Sequence, residues 1–140
     1  MKVLFLCTGN SCRSQMAEGW ARAVGPKEHD YYSAGIEKHG MNENAIRVMR
    51  EAGVDISGHY SKTLDELADQ TFDVVVTVCG HANETCPVFP GKTRVVHVGF
   101  DDPPKLAQQE TTEEGKLAHY RRVRDEIETF VRQLETRLAG

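Results

Sequence analysis

Apolar residues follow two alternating rhythms along this chain. Short apolar or β-branched runs occur at Val3–Leu6, His29–Ala34, Phe72–Val78 and Arg94–Val98, with the length and composition of strands buried in a sheet. Between them, apolar positions recur at helical spacing: Met16, Ala17, Trp20 and Ala23, then Ala45, Ile46, Val48, Met49 and Ala52. A short pattern follows at Leu64, Leu67 and Ala68, and a long one at Leu117, Tyr120, Val123, Ile127, Phe130, Val131, Leu134 and Leu138. Asn42 and Thr63 stand where N-caps belong, while Gly25-Pro26 and Gly53 stop helices. The last pattern predicts one helix from about Glu113 to the C-terminus.

Strands alternating with helices predict an α/β fold of three layers, a four-stranded parallel sheet with helices on both faces. A flavodoxin-like order of 2-1-3-4 sets the Phe72–Val78 strand directly beside the first. Cys79 then leaves the sheet at the same edge as Cys7, the edge where such sheets bind ligands. No repeat, linker or low-complexity tract divides residues 1–140, so they read as a single domain.

The chemistry gathers after the first strand. Cys7-Thr8-Gly9-Asn10-Ser11-Cys12-Arg13-Ser14 is small, polar and glycine-containing, and a helical pattern starts behind it. Successive amides of such a loop, with a helix N-terminus, make an anion nest. Arg13 can hold two oxygens of a tetrahedral oxyanion in its planar fork. At the floor of that nest Cys7 is expected to be held as a thiolate, a nucleophile under a bound oxyanion.

Composition narrows the class. The formal charge of −4, with no basic stripe, argues against nucleic-acid binding. No apolar run is long enough to cross a bilayer, and the first residues build the first strand rather than a leader. A cytoplasmic monomer is the expectation. Four cysteines, Cys7, Cys12, Cys79 and Cys86, in a reducing compartment suggest catalysis before structural disulfides. Cys79, His81 and Cys86 lie close together, but the gap between the cysteines is wider than usual for paired zinc ligands and no second short-spaced pair exists. No metal and no organic cofactor are expected.

The spacing C-x5-R followed by serine, set between a strand and a helix as Leu6-Cys7-Thr8-Gly9-Asn10-Ser11-Cys12-Arg13-Ser14, resembles the low-molecular-weight protein tyrosine phosphatase superfamily. The resemblance implies the phosphatase-like sheet above and an oxyanion loop formed by Thr8 to Ser14. Ser14 is placed to hydrogen-bond Cys7, or else to cap the helix, and Asn10 to fix the loop through neighbouring backbone groups. In the family the aspartate before a proline is the general acid. That matches Asp102 in Gly99-Phe100-Asp101-Asp102-Pro103, where the proline restricts the aspartate to an extended conformation. Hydroxide leaving a tetrahedral centre needs that proton. Read without the loop, the two aspartates would simply cap the next segment.

Two features separate branches of the superfamily. No aromatic follows Pro103 until Tyr120, so a phosphotyrosine ring has nothing to stack on. Thr77-Val78-Cys79-Gly80-His81-Ala82-Asn83-Glu84-Thr85-Cys86-Pro87 resembles arsenate reductases of the thioredoxin-coupled type, as does most of the chain, including Asp55-Ile56-Ser57-Gly58-His59. The resemblance implies reduction of arsenate through a Cys7, Cys79 and Cys86 relay, with Arg13 and Asp102 as partners and thioredoxin as reductant. Were residues 80–86 helical, the two outer thiols would stand ~10.5 Å apart along the axis, beyond the roughly 7 Å that a disulfide spans. The segment must therefore unwind, with Gly80, Pro87 and Gly91 as hinges. Cys12 has no task in the relay and reads as packing. Some relatives hold a monovalent cation with residues like Asn10, Glu18 and Ser33; here Lys62 takes the fourth place and its charge stands in for the ion. Trp20 reads as core, His59, His81 and His97 as structural, and Arg121-Arg122-Val123-Arg124 as a solvated face balanced by Asp125, Glu126 and Glu128. The rival readings are a tyrosine phosphatase and a non-catalytic module sensing metal or redox state through Cys79, His81 and Cys86.

Overall fold

The structure, a computed structural model, describes residues 1–84, 89 and 92–139. Cys86, Pro87, Gly91 and the His81 side chain, which the sequence reading assigned to the relay, the hinge and a metal-sensing alternative, lie outside the described residues. Strands β1 (Lys2–Cys7), β2 (Asp30–Gly35), β3 (Val74–Thr77) and β4 (Arg94–His97) form one parallel sheet in the order β2-β1-β3-β4. That is the expected topology. Val3 to Leu6 are fully buried, which is why a continuous apolar run, rather than an alternating one, marks the central strand. Cys7 faces Gly35 in register, and the Val78 amide extends the β3 ladder to Leu6 O at 2.9 Å. The chain therefore leaves β1 and β3 at the same edge.

Helix α1 (Arg13–Val24) buries Met16, Ala17, Trp20 and Ala21 and packs on β1, β2 and α5 (Glu113–Arg132). The remaining helices are α2 (Glu43–Glu51), a 3₁₀ turn (Leu64–Leu67), α3 (Gly80–Glu84), α4 (Pro103–Ala107) and α6 (Leu134–Ala139). Right-handed crossovers set α1 on one face of the sheet and α3, between β3 and β4, on the other. The helix stops behave as read. Asn42 Oδ1 accepts from the Ala45 amide at 3.0 Å, Thr63 and Glu66 form a capping box, and Gly53 ends α2 at φ +88°. Trp20 is core, although its indole N–H finds no partner among the described residues.

Two expectations need correction. The long C-terminal helix is two: Gln133 takes φ −99°, ψ 12° and donates back to Phe130 and Val131, and the turn keeps Leu134 and Leu138 of α6 in the core. The basic run is balanced on its own helix by Glu126 and Asp125 as read, Arg122 meeting Glu126 at 3.1 Å and Arg124 meeting Asp125 at 2.8 Å, but it also reaches beyond that helix. Arg121 clamps Glu51 through two bonds of 2.9 Å and Arg124 reaches Val48 O at 2.9 Å, tying α5 to the end of α2, while Arg122 holds Asp101 at 3.1 Å. The segment after Asp102, left unassigned by the sequence, is the helix α4, with Pro103 in its first turn, where a missing N–H costs nothing.

Candidate active site

A cleft of about 400 Å³ opens at the edge where β1 and β3 end. It is lined by Cys7, Thr8, Gly9, Ser11, Cys12 and Arg13, by His39 to Asn42, and by Asp102 and Pro104. The loop is shaped by a strap, residues 36–42, that runs along its outer side. The amides of Ile36, Glu37, His39 and Asn42 donate to the carbonyls of Cys7, Thr8, Gly9 and Ser11 at 2.8–3.0 Å. In a trans peptide the N–H points opposite to the C=O. Tying the carbonyls outward therefore turns the following amides, among them those of Thr8, Gly9 and Cys12, toward the cleft. Gly35 permits the approach of strap and loop, since a Cβ there would strike Glu37 O, Thr8 O and Asn10 N.

Ser14 lies 2.8 Å from Cys7 Sγ, and both side chains are buried. The direction of that bond follows from its neighbours. The Lys62 amide, an unambiguous donor, reaches Asn10 Oδ1 at 3.0 Å, so Asn10 presents its NH₂ to Ser14 Oγ at 2.7 Å. The serine proton is thus left for the Cys7 sulfur, which accepts it. Asn10 bears φ +48°, a left-handed conformation open to asparagine. Gln15 Nε2 bonds Asn10 Oδ1 at 2.8 Å and Tyr60 O at 3.0 Å, which turns its Oε1 to His59 Nδ1 at 3.0 Å. Asn10 accordingly fixes the loop through Ser14, Gln15 and the distant Lys62 amide rather than through neighbouring backbone. Ser14 is not the helix cap; Cys12 occupies that position.

Arg13 opens α1, donates to Phe100 O at 2.9 Å and stands 3.7 Å from Asp102. Asp102 sits in extended backbone and accepts no capping bond from α4, so its carboxyl is left to face the cleft beside Arg13. Cys12 lines the cleft too, but burial first and the nearby Cys7 second push its thiol well above the ordinary cysteine range, so it stays protonated. Cys79, buried, lies 3.3 Å from Thr8 Oγ1 through its sulfur, which also takes the Ala82 amide at 3.4 Å. The second thiol of the sequence reading is therefore seated against the oxyanion loop. Cys7, Cys12 and Cys79 are all free.

Beside the loop, Glu18 accepts from Ser33 Oγ at 2.5 Å and pairs with Arg22 at 2.9 Å, and Lys62 Nζ stands 4.0 Å from it. The lysine thus brings its own positive charge to the Glu18 carboxylate. The sequence reading missed His39 and Met41 as lining residues and saw Asn42 only as a helix cap; the strap holds the loop through the amides of Ile36, Glu37, His39 and Asn42, which leave no side-chain signature. It missed Gln15 as well, a fully buried side chain whose bonds to Tyr60 and His59 span the chain and leave no local sign.

A family model described as low molecular weight phosphotyrosine protein phosphatase matches residues 2–140. The chain belongs to that phosphatase family. Within the low molecular weight phosphatase family it is similar to proteins of a particular kind. An arsenate reductase of Halalkalibacterium halodurans is 56% identical over 125 residues, 89% of this chain and 88% of that protein. An arsenate reductase of Bacillus subtilis is 52% identical over the same shares. Among solved structures, an arsenate reductase in the phosphate-binding state matches with TM-score 0.72 at 31% identity over 97% of each chain. Among the described residues no helix is long and apolar enough to cross a membrane. The one cluster of potential metal ligands there, Glu28, His29 and Glu135, contains no cysteine.

Proposed function

We propose that this chain reduces arsenate to arsenite at the Cys7 cleft, working as a cytoplasmic monomer. The observation that carries the reading is the second thiol: Cys79 rests on Thr8 of the loop that also holds Cys7. A phosphatase needs one thiol there; a reductase needs another within reach. The similarity to two arsenate reductases at more than half identity supports it.

The steps balance as follows. Amides of the loop and the Arg13 guanidinium hold hydrogen arsenate, and the Cys7 thiolate attacks arsenic. The As–OH bond breaks and Asp102 protonates the departing hydroxide to water. Cys79 thiolate then attacks the Cys7 sulfur, the S–As bond breaks, and its electron pair stays on arsenic, which leaves as arsenite. The Cys7–Cys79 disulfide is attacked at Cys79 by Cys86, freeing Cys7 and leaving Cys79–Cys86. A dithiol protein of the thioredoxin type reduces that bond by exchange. For Cys79 to leave its seat, α3 must loosen at Gly80.

The test is arsenate-dependent NADPH consumption with thioredoxin and its reductase. Cys7→Ser and Cys79→Ser should abolish it, and Cys86→Ser should complete one turnover and stop. Undiminished steady-state turnover by Cys86→Ser refutes the relay. The family membership favours a second reading, phosphate-ester hydrolysis, which would require Cys7 and Asp102 and be indifferent to Cys79→Ser.

A further inference from the structure

Another cavity, about 310 Å³, lies between α1 and residues 58–62 and is lined by Glu18, Arg22, His59, Tyr60 and Lys62. It shares no residue with the Cys7 loop, and the reduction above makes no use of its charges. Those charges do not cancel. Glu18 supplies one carboxylate, held by Arg22 and Ser33, against a guanidinium and an ammonium. Lys62 is only 8% exposed, yet among the described residues its three N–H groups make one hydrogen bond, 3.3 Å to Tyr60 O, with the Tyr60 ring at 4.9 Å and Glu18 at 4.0 Å. An ammonium so buried and so little bonded is an open donor.

His59 completes the set. Because Gln15 Oε1 faces it, Nδ1 carries the proton and Nε2 keeps a lone pair. Burial chiefly holds His59 below the ordinary histidine range; Arg22 and Lys62 push the same way, against Glu18 and Asp55. Lys62 is likewise held down by burial first and by Arg22, against Glu18 and Glu66. Burial is thus the first cause at both bases and Glu18 the strongest charge acting on each, so what invites an anion is the geometry: a buried, sparsely bonded Lys62 beside Arg22 and His59.

We propose that this cavity is a second anion site, taking a small tetrahedral oxyanion that carries a hydroxyl, hydrogen phosphate or hydrogen arsenate. Lys62 and Arg22 hold its charged oxygens, and His59 Nε2 accepts its hydroxyl proton. The site stands whether or not the Cys7 cleft reduces arsenate. A fully ionised oxyanion such as sulfate brings no proton, so it must draw one from solvent onto His59 and binds more weakly at neutral pH.

Calorimetric titration of inorganic phosphate tests it, using the wild type and a Cys7→Ser/Arg13→Ala variant whose cleft is disabled. The variant is expected to keep one equivalent, with the His59 ring resonances shifting on addition. Lys62→Met and Arg22→Met should each weaken that equivalent by about ten-fold, and Lys62→Arg by less than about three-fold. Arsenate should bind the disabled variant within about three-fold of phosphate, since both offer the same charge and hydroxyl. Absence of phosphate binding to the disabled variant overturns the site. So does unchanged binding in Arg22→Met, which leaves buried Lys62 in place should Lys62→Met unfold. Equal sulfate and phosphate affinity near neutral pH overturns the assignment of the hydroxyl to His59, and refusal of arsenate by a site that takes phosphate overturns recognition by charge and hydroxyl.

Discussion

The Ser14 hydroxyl, 2.8 Å from the Cys7 sulfur, has its oxygen already occupied by the Asn10 amide at 2.7 Å, so its one proton belongs to the sulfur. Removing it should expose what the bond supplies. In Ser14→Ala, alkylation of Cys7 by iodoacetamide at neutral pH, followed by peptide mass mapping, is expected to slow on the order of ten-fold, the worth of one hydrogen bond to a charged group. An unchanged rate would mean that the loop amides alone hold the thiolate.

Asp102 is the proton donor in the proposed first step, so Asp102→Asn should lower the single-turnover rate of arsenate reduction by roughly 10²-fold. The thermal midpoint should stay close to wild type, because Asp102 makes no capping bond to α4 and its contact with Arg13 is long at 3.7 Å. A loss of rate matched by a loss of fold would point to structure instead.

Cys12 lines the same cleft but is kept as a thiol by burial and by Cys7. Cys12→Ala is therefore expected to keep turnover within about two-fold, and Cys12 should be alkylated much more slowly than Cys7 in the wild type. Comparable labelling of the two would contradict the reading.

Two glycines touch the loop with unequal consequences. A Cβ at Gly9 would overlap the His39 ring, which is half exposed and can swing aside; a Cβ at Gly35 would overlap the backbone of Glu37, Thr8 and Asn10, which cannot. Gly35→Ala is expected to cost about 3 kcal/mol in urea unfolding, within the range for overpacking, and Gly9→Ala under about 1.5 kcal/mol. A His39→Ala background should relieve Gly9→Ala and leave Gly35→Ala unchanged.

His59 also makes stability depend on pH. Its folded value lies below the unfolded one, chiefly through burial, so the unfolded chain binds the extra proton more readily. Stability should be full above the unfolded histidine value, about 6.5, and fall as pH drops from there toward the folded value. His59→Asn, which can still donate to Gln15, should flatten that part of the curve. An equally steep fall in the variant would assign the effect elsewhere.

The opening of the chain was legible because each physical signal there agreed with the next: an apolar run, a cysteine, small residues, then helical spacing. The sheet order followed from the same logic, and it brought Cys79 to the loop before any coordinates did. Side-chain caps such as Asn42 and Thr63 were legible for the same local reason. What could not be read is carried by backbone or by distance. The strap works through main-chain bonds that any sequence can make, and the path from Ser14 through Asn10 and Gln15 to His59 joins residues 45 positions apart in the chain. The basic run on α5 was legible as far as its partners on the same helix, Asp125 and Glu126, and not in its bonds to Glu51, Val48 and Asp101, which lie elsewhere in the chain. The bend at Gln133 has no glycine or proline to announce it.

The strap has one more consequence. By fixing the carbonyls of Cys7, Thr8, Gly9 and Ser11, it sets the amides in place before any anion arrives. A ring of main-chain N–H groups measures charge and tetrahedral size and nothing finer, so phosphate and arsenate enter on nearly equal terms. Choice between them is therefore exercised after entry, by whether the central atom can take up an electron pair. On the proposed relay, abundant phosphate becomes a standing competitor for the cleft, and selectivity is kinetic, residing in the second thiol rather than in the grip of the loop.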